Sequence, residues 1–114
     1  MHQMVEIREY IGIDGRNLFG DWFARLHSEA ARRVTTALYR LALENFSNVK
    51  GVGGGVFEYR IDFGPGYRLY FGKDGDKIVI LLCGGSKKRQ QSDITLAGEC
   101  WQDYKRLKRS VPWR

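Results

Sequence analysis

The hydrophobic period of this 114-residue chain changes once, at the cluster Gly51, Gly53, Gly54 and Gly55, and that change limits the folds open to it. Before the cluster, from Arg16 to Phe46, apolar residues recur every three or four positions; after it they alternate. Leu18, Phe19, Trp22, Phe23 and Leu26 form one helical stripe, and Val34, Leu38, Leu41 and Ala42 form a second. His27-Ser28-Glu29 separates them, and Ser28 is a candidate cap, so the pattern predicts a helical hairpin, with one bent helix as the alternative. Upstream, Val5 to Ile11 reads as a short strand, followed by Gly12-Ile13-Asp14-Gly15, where Asp14 is a candidate cap for the first helix.

Asn45 to Gly55 reads as a loop. Beyond it, Phe57, Tyr59, Ile61 and Phe63 share one strand face, while Glu58, Arg60 and Asp62 share the other. After Gly64-Pro65-Gly66 the apolar face continues in Tyr67, Leu69 and Phe71, and the opposite face in Arg68 and Tyr70. A three-residue loop pairs Phe63 with Tyr67, Asp62 with Arg68 and Arg60 with Tyr70 in an antiparallel hairpin. Lys73-Asp74-Gly75-Asp76 predicts a second tight hairpin. Ile78-Val79-Ile80-Leu81-Leu82 is apolar on both alternating sets, as a central strand covered on both faces requires. Ile94, Ala97, Trp101 and Tyr104 predict a last helix over 94–108, running into a basic tail at about 105–114. The expected order is strand, helix, helix, three strands, helix. That is an α+β fold in a single domain spanning residues 1–114.

The net charge of +6 suits an anionic partner: nucleic acid, an anionic membrane or an acidic protein. Cys83 lies in an apolar run and Cys100 in the last helix, so both read as reduced, buried thiols. The N-terminus lacks a basic start followed by an apolar stretch, and no run of about 18 apolar residues occurs, so the expectation is a cytoplasmic protein without a membrane partner. His2 and His27 stand apart from any nucleophile, and no P-loop or metal-ligand spacing is present. No cofactor and no metal are expected. Trp22, Trp101, Tyr59 and Phe63 read as core.

Arg60 and Arg68 carry planar forks suited to phosphate oxygens, and strands would hold them in place. Ordinary exposed ion pairs, Arg68 with Asp62 and Arg60 with Glu58, are the simpler account of the same residues, each worth under about 1 kcal/mol. Gly84-Gly85-Ser86-Lys87-Lys88-Arg89 reads as a glycine-lined basic loop in which backbone N–H groups approach an anion, with Ser92 or Asp93 opening the last helix beside it. The simpler account is a solvated basic connection. Lys105, Lys108 and Arg109 suit a solvated helix end.

The run from Gly55 to Phe71, together with Ile80-Leu81-Leu82-Cys83-Gly84-Gly85-Ser86-Lys87 and Asn45-Phe46-Ser47-Asn48-Val49-Lys50, resembles the RelE/ParE superfamily. The match is to its addiction-module killer, Gp49-like and HigB-type branch of type II toxin–antitoxin systems. The resemblance implies a β-α-α-β-β-β-α order with a curved, mainly antiparallel sheet, two N-terminal helices packed on one side and a C-terminal helix. It also implies a cognate antitoxin and, for RelE-like members, metal-independent cleavage of messenger RNA on the ribosome; ParE-like members inhibit DNA gyrase instead, and non-toxic relatives that only bind a partner are a further class. By position it assigns Arg60, Arg68 and Lys87 or Lys88 to the phosphate in flight, and leaves Tyr70 or Glu58 to handle a proton. Arg89, Lys105, Lys108 and Arg109 are then RNA-binding candidates. Glu58 stands where RelE has a lysine, and Ser92-Asp93-Ile94-Thr95 occupies the region of its C-terminal tyrosine.

Overall fold

The computed structural model describes residues 4–109. The apolar run becomes β5 (Ile78–Ser86), an interior strand between β1 (Glu6–Glu9), which runs parallel to it, and β4 (Tyr67–Asp74), which runs antiparallel. β3 (Val56–Ile61) and β2 (Val49–Gly53) complete a five-stranded sheet in the order β1-β5-β4-β3-β2. Helices α1 (Leu18–Ala24) and α2 (Ser28–Ala42) cover one face, and α3 (Gln90–Arg109) the other, entered through a single 3-10 turn at Lys87–Arg89. The fold is α+β.

Each face has its own core, as the alternating pattern demands. Phe19, Val34, Ala37 and Leu41 pack on Tyr59, Ile61, Leu69, Phe71 and Leu81; Ala97, Cys100 and Trp101 pack on Val56, Tyr70, Ile80, Leu82 and Cys83. The thiols of Cys83 and Cys100 are free and buried. The ladder register shifts between Tyr70 and Phe71, which pair with Cys83 and Leu81, so Leu82 is the extra residue. Leu82 and Cys83 consequently both face α3, and the alternation beyond them is inverted.

Glycines let the helices approach closely on both sides. A Cβ on Gly72 would lie 2.4 Å from Trp101, and one on Gly84 would lie 2.3 Å from Trp22. Trp101 stacks in parallel on Tyr104, which keeps it from swinging aside.

Several expectations are corrected. A fourth strand of the hairpin region, β2, forms inside the stretch read as a loop: three of its five residues are lysine or glycine, which do not signal a strand, and its ladder breaks between Gly51 and Gly53. The observed order therefore carries four strands between α2 and α3. The β3–β4 loop spans five residues, because Gly64 and Gly66 both take left-handed backbone angles and Gly66 N–H closes a turn on the Phe63 carbonyl. Ile61 pairs with Tyr67, Arg60 with Arg68 and Glu58 with Tyr70. The slip is an even number of residues, so each side chain keeps its face and only its partner changes. Asn17 caps α1 by accepting from Gly20 N–H, while Asp14 forms a local turn to Arg16 N–H. His27, not Ser28, caps α2, its Nδ1 accepting from Ala30 N–H.

Gly72→Ala should lower stability by roughly 1–3 kcal/mol, since neither Trp101 nor the strand can yield without opening the α3 interface. Thermal melts of the variant and the parent measure it.

Candidate functional site

Cross-strand rows on the α3 face assemble the site. Lys50, Glu58, Tyr70 and Cys83 form one row across β2, β3, β4 and β5; Arg60, Arg68 and Gly85 form the next. Like charges directly opposite one another, as at Arg60 and Arg68, repel in a ladder unless an anion compensates. Glu58 is that anion for Arg68.

Glu58 is only 1% exposed and Arg68 5%. Groups from α3 and β4 converge on the carboxylate: Gln90 Nε2 donates to Oε2 at 2.8 Å, the Tyr70 hydroxyl donates to the same oxygen at 3.2 Å, and Arg68 Nε stands 3.5 Å from it. Lys50 Nζ lies 3.9 Å from Oε1 at the exposed edge. Arg68 Nη1 also donates to the Gly66 carbonyl at 3.2 Å, and the Lys87 N–H donates to that same carbonyl at 2.7 Å. The hairpin loop and the 3-10 turn are thereby tied together beneath the cations. Burial, reinforced by Glu58, pushes the Tyr70 hydroxyl well above its usual pKa. Tyr70 has no exposed surface, so it acts on Glu58 rather than on solvent.

The predicted basic residues divide into two groups. Arg60, Lys87, Lys88 and Arg89 are exposed around buried Arg68. Lys105, Lys108 and Arg109 lie at the far end of α3, some 16 to 20 residues from Arg89, which is about 25–30 Å along a helix. Lys108 is engaged there with Asp74, at 2.6 Å from Oδ2, and Lys105 lies 5.8 Å over the Trp101 ring. Residues 110–114 of the basic tail lie outside the described residues.

The expected glycine-lined loop is strand. Gly84 and Gly85 belong to β5 and are roofed by Trp22 and Asp93, so their missing side chains serve packing rather than anion approach. Asp93 lies inside α3, one turn past its start, and is buried. Burial raises its pKa, with Arg89 opposing the shift.

Sequence reasoning missed Lys50 and Gln90, whose only signal is three-dimensional. It also missed a groove of about 510 Å³ between α2 and β3, lined by Arg32, Arg33, Arg40 and Arg60 among others. Arg33 there lies 4.6 Å over the Phe63 ring. Among the described residues no group of three or more His, Cys, Asp or Glu side chains is placed to hold a metal, and no helix is long and apolar enough to cross a membrane.

No family model matches the sequence. A Haemophilus influenzae protein described as uncharacterized is 41% identical over 80 residues, covering 69% of this chain and 81% of that protein.

Two consequences follow for stability. Glu58→Ala leaves Arg68 buried without its counter-ion and should cost about 3–5 kcal/mol in chemical denaturation, whereas Tyr70→Phe should cost about 1 kcal/mol. Asp93 titrates in the opposite sense to a paired carboxylate. Its folded pKa lies above the ordinary 3.8, so its contribution is fully favourable below that pH and is lost as pH rises through the raised value. Asp93→Asn should therefore melt higher than the parent at pH 7 in thermal melts, with the difference closing near pH 4.

Proposed function

We propose that this chain, which belongs to the same family as the uncharacterized Haemophilus influenzae protein, is a RelE-like toxin that cleaves messenger RNA on the ribosome and is held in check by a cognate antitoxin. The observation that carries this reading is the row of Arg60 opposite Arg68, with exposed Lys87, Lys88 and Arg89 beside it. Only Arg68 is neutralised from within, so the rest of the face has positive charge to offer a phosphodiester. The α+β architecture, with two helices ahead of the main run of strands and one after it, and the residues resembling the superfamily support the same assignment.

Cleavage on this reading uses the ribose 2′-hydroxyl of the message as nucleophile against the neighbouring phosphorus. Arg60 and Lys87 grip the non-bridging oxygens directly. Arg68, fixed by Glu58 and the Gly66 carbonyl, supplies oriented charge at a low-dielectric margin, where it is worth more than in water. Tyr70 and Gln90 hold Glu58, and Glu58 holds Arg68; these three position the site. Lys88 and Arg89 extend the grip along the strand. Lys105, Lys108 and Arg109 fit a separate contact with ribosomal RNA. The groove of Arg32, Arg33 and Arg40 suits an acidic stretch of the antitoxin, and the action belongs in the cytoplasm.

One observation favours a second reading. Tyr70 and Glu58 are buried, which leaves the exposed part of the face with cations and without an evident proton-transfer group. Binding without cleavage, as in gyrase-inhibiting ParE-like proteins or non-toxic partner-binding relatives, needs nothing more.

Arg60→Ala and Lys87→Ala test the reading, because both residues are exposed, whereas replacing Arg68 would strand Glu58. Each should abolish growth arrest and the new codon-positioned 5′ ends seen on transcripts after brief induction, and lower the salt dependence of RNA binding by about one counterion. Undiminished cleavage by both variants removes this face from the mechanism. DNA breaks without new transcript ends indicate gyrase as the target.

A further inference from the structure

Asp62 is an anion at the margin of a face that offers cations, and the fold leaves it unmatched. Hairpin spacing predicts a pair with Arg68, but the ladder sets Arg60 opposite Arg68, and Glu58 takes the guanidinium. Asp62 is exposed, and among the described residues its side chain has no ion pair and no hydrogen bond. A carboxylate here repels a phosphodiester and weakens the grip of the cations beside it. Its presence is explained by a different contact.

Asp62 walls a groove of about 390 Å³ together with Phe63, the Gly64-Pro65-Gly66 bend and Lys87. It also borders the α2 groove that Arg60 lines. The smaller groove adjoins the phosphate site, because Lys87 belongs to both and the Gly66 carbonyl accepts from Arg68 Nη1 at 3.2 Å. Gly64 and Gly66 take positive φ angles of 55° and 77° and send no side chain into the space. A Cβ on Gly66 would already touch Lys87 at 3.4 Å and Arg68 Nη1 at 3.5 Å. Arg33 packs 4.6 Å over the Phe63 ring and fixes it. Bare peptide, a proline ring and a fixed aromatic ring suit a flat heterocycle, and one carboxylate stands beside them.

An ionised carboxylate only accepts hydrogen bonds. Guanine alone among the four RNA bases presents two adjacent donors on its Watson–Crick edge, N1–H and the N2 amine, one for each carboxylate oxygen. Uracil presents a single N–H between two carbonyls, and adenine and cytosine each set an amine beside an acceptor nitrogen. In single-stranded RNA that edge is open to a side chain. We infer that Asp62 is the base-reading residue of this face, accepting both donors of a guanine seated in the groove while Arg60 and Lys87 hold the adjoining phosphate. Two residues of chain span at most about 7 Å, so one short segment serves the base and the phosphate together. The inference rests on the ribonuclease reading above for taking RNA as the ligand, and adds which base lies beside the gripped linkage.

The test measures binding of the full chain to a short oligouridine strand carrying guanosine, inosine or uridine at its central position, by fluorescence anisotropy at low salt. Inosine keeps N1–H and lacks the N2 amine. The parent should bind the guanosine strand at least about ten-fold more tightly than the all-uridine strand, with the inosine strand between them. Asp62→Asn exchanges one acceptor oxygen for a donor amine and should bind all three strands alike. Equal affinities of the parent for the guanosine and uridine strands, immeasurable ones included, overturn the inference, and so does a guanosine preference that Asp62→Asn retains. Loss of all three strands by Asp62→Asn also overturns it, assigning Asp62 to the structure of the loop. Cleavage is scored separately on translating ribosomes. A guanosine preference abolished by Asp62→Asn, in a parent chain that cuts no message, overturns the ribonuclease reading and leaves the base-reading groove standing.

Discussion

A carboxylate that is 1% exposed is tolerable only when its lone pairs are occupied and its charge is matched, and Glu58 sets that requirement for the whole α3 side of the sheet. Its donors come from β2, β4 and the first residue of α3, so the edge strand, the hairpin and the start of the last helix are fixed relative to one carboxyl group. Arg68 is the member that links inward to outward. One end of its guanidinium faces Glu58 and another donates to Gly66, whose carbonyl also receives the Lys87 N–H. Anything that shifts Glu58 is thus felt in the hairpin loop and in the 3-10 turn that carries the exposed cations.

The approach of the helices depends on what β4 and β5 leave out. Trp101 needs the bare backbone of Gly72, Trp22 that of Gly84, and Asp93 that of Gly85. Adjacent glycines in a strand serve opposite faces, so Gly84 and Gly85 can receive α1 and α3 only if the strand enters them in the right phase. The extra residue at Leu82 sets that phase. With strict alternation from Ile80, Gly84 would face α3 and Gly85 would face α1, and neither Trp22 nor Asp93 would have its seat.

What could be read from the sequence follows from which signals are local. The helical stripes, the apolar face of β3 and β4 and the two-sided character of β5 are periodic, and each element formed where its period placed it. Because side-chain direction repeats every two residues, Glu58, Arg60, Arg68 and Tyr70 were assignable to one face even though their partners were misread by two positions. The loop length behind that error depends on two left-handed glycines, and spacing alone does not reveal which glycines take that conformation. β2 was hidden because it is a glycine-rich edge strand held only by its pairing with β3. Gly84 and Gly85 look the same in sequence whether they line an anion loop or floor a helix, and only Trp22 and Asp93, 62 and 8 residues away from them, decide the matter. Lys50 reaches the site from β2, and Gln90 and Asp93 from α3, so no local motif could gather them.

The electrostatics of the Arg60, Arg68 and Gly85 row also bear on why the site would accept a phosphate at all. Had Asp93 closed on Arg68, the row would be a finished internal ion pair, shielded and indifferent to solvent, as buried pairs with good geometry are. Instead Arg68 Nε and Asp93 Oδ2 remain without hydrogen bonds, although Asp93 packs over Gly85, the ladder partner of Arg68. Arg68 already leans on Glu58, on the opposite diagonal, and the Glu58 carboxylate is shared among Tyr70, Gln90 and Lys50. On the reading proposed above, a phosphodiester brings acceptor oxygens to the exposed cations beside this row.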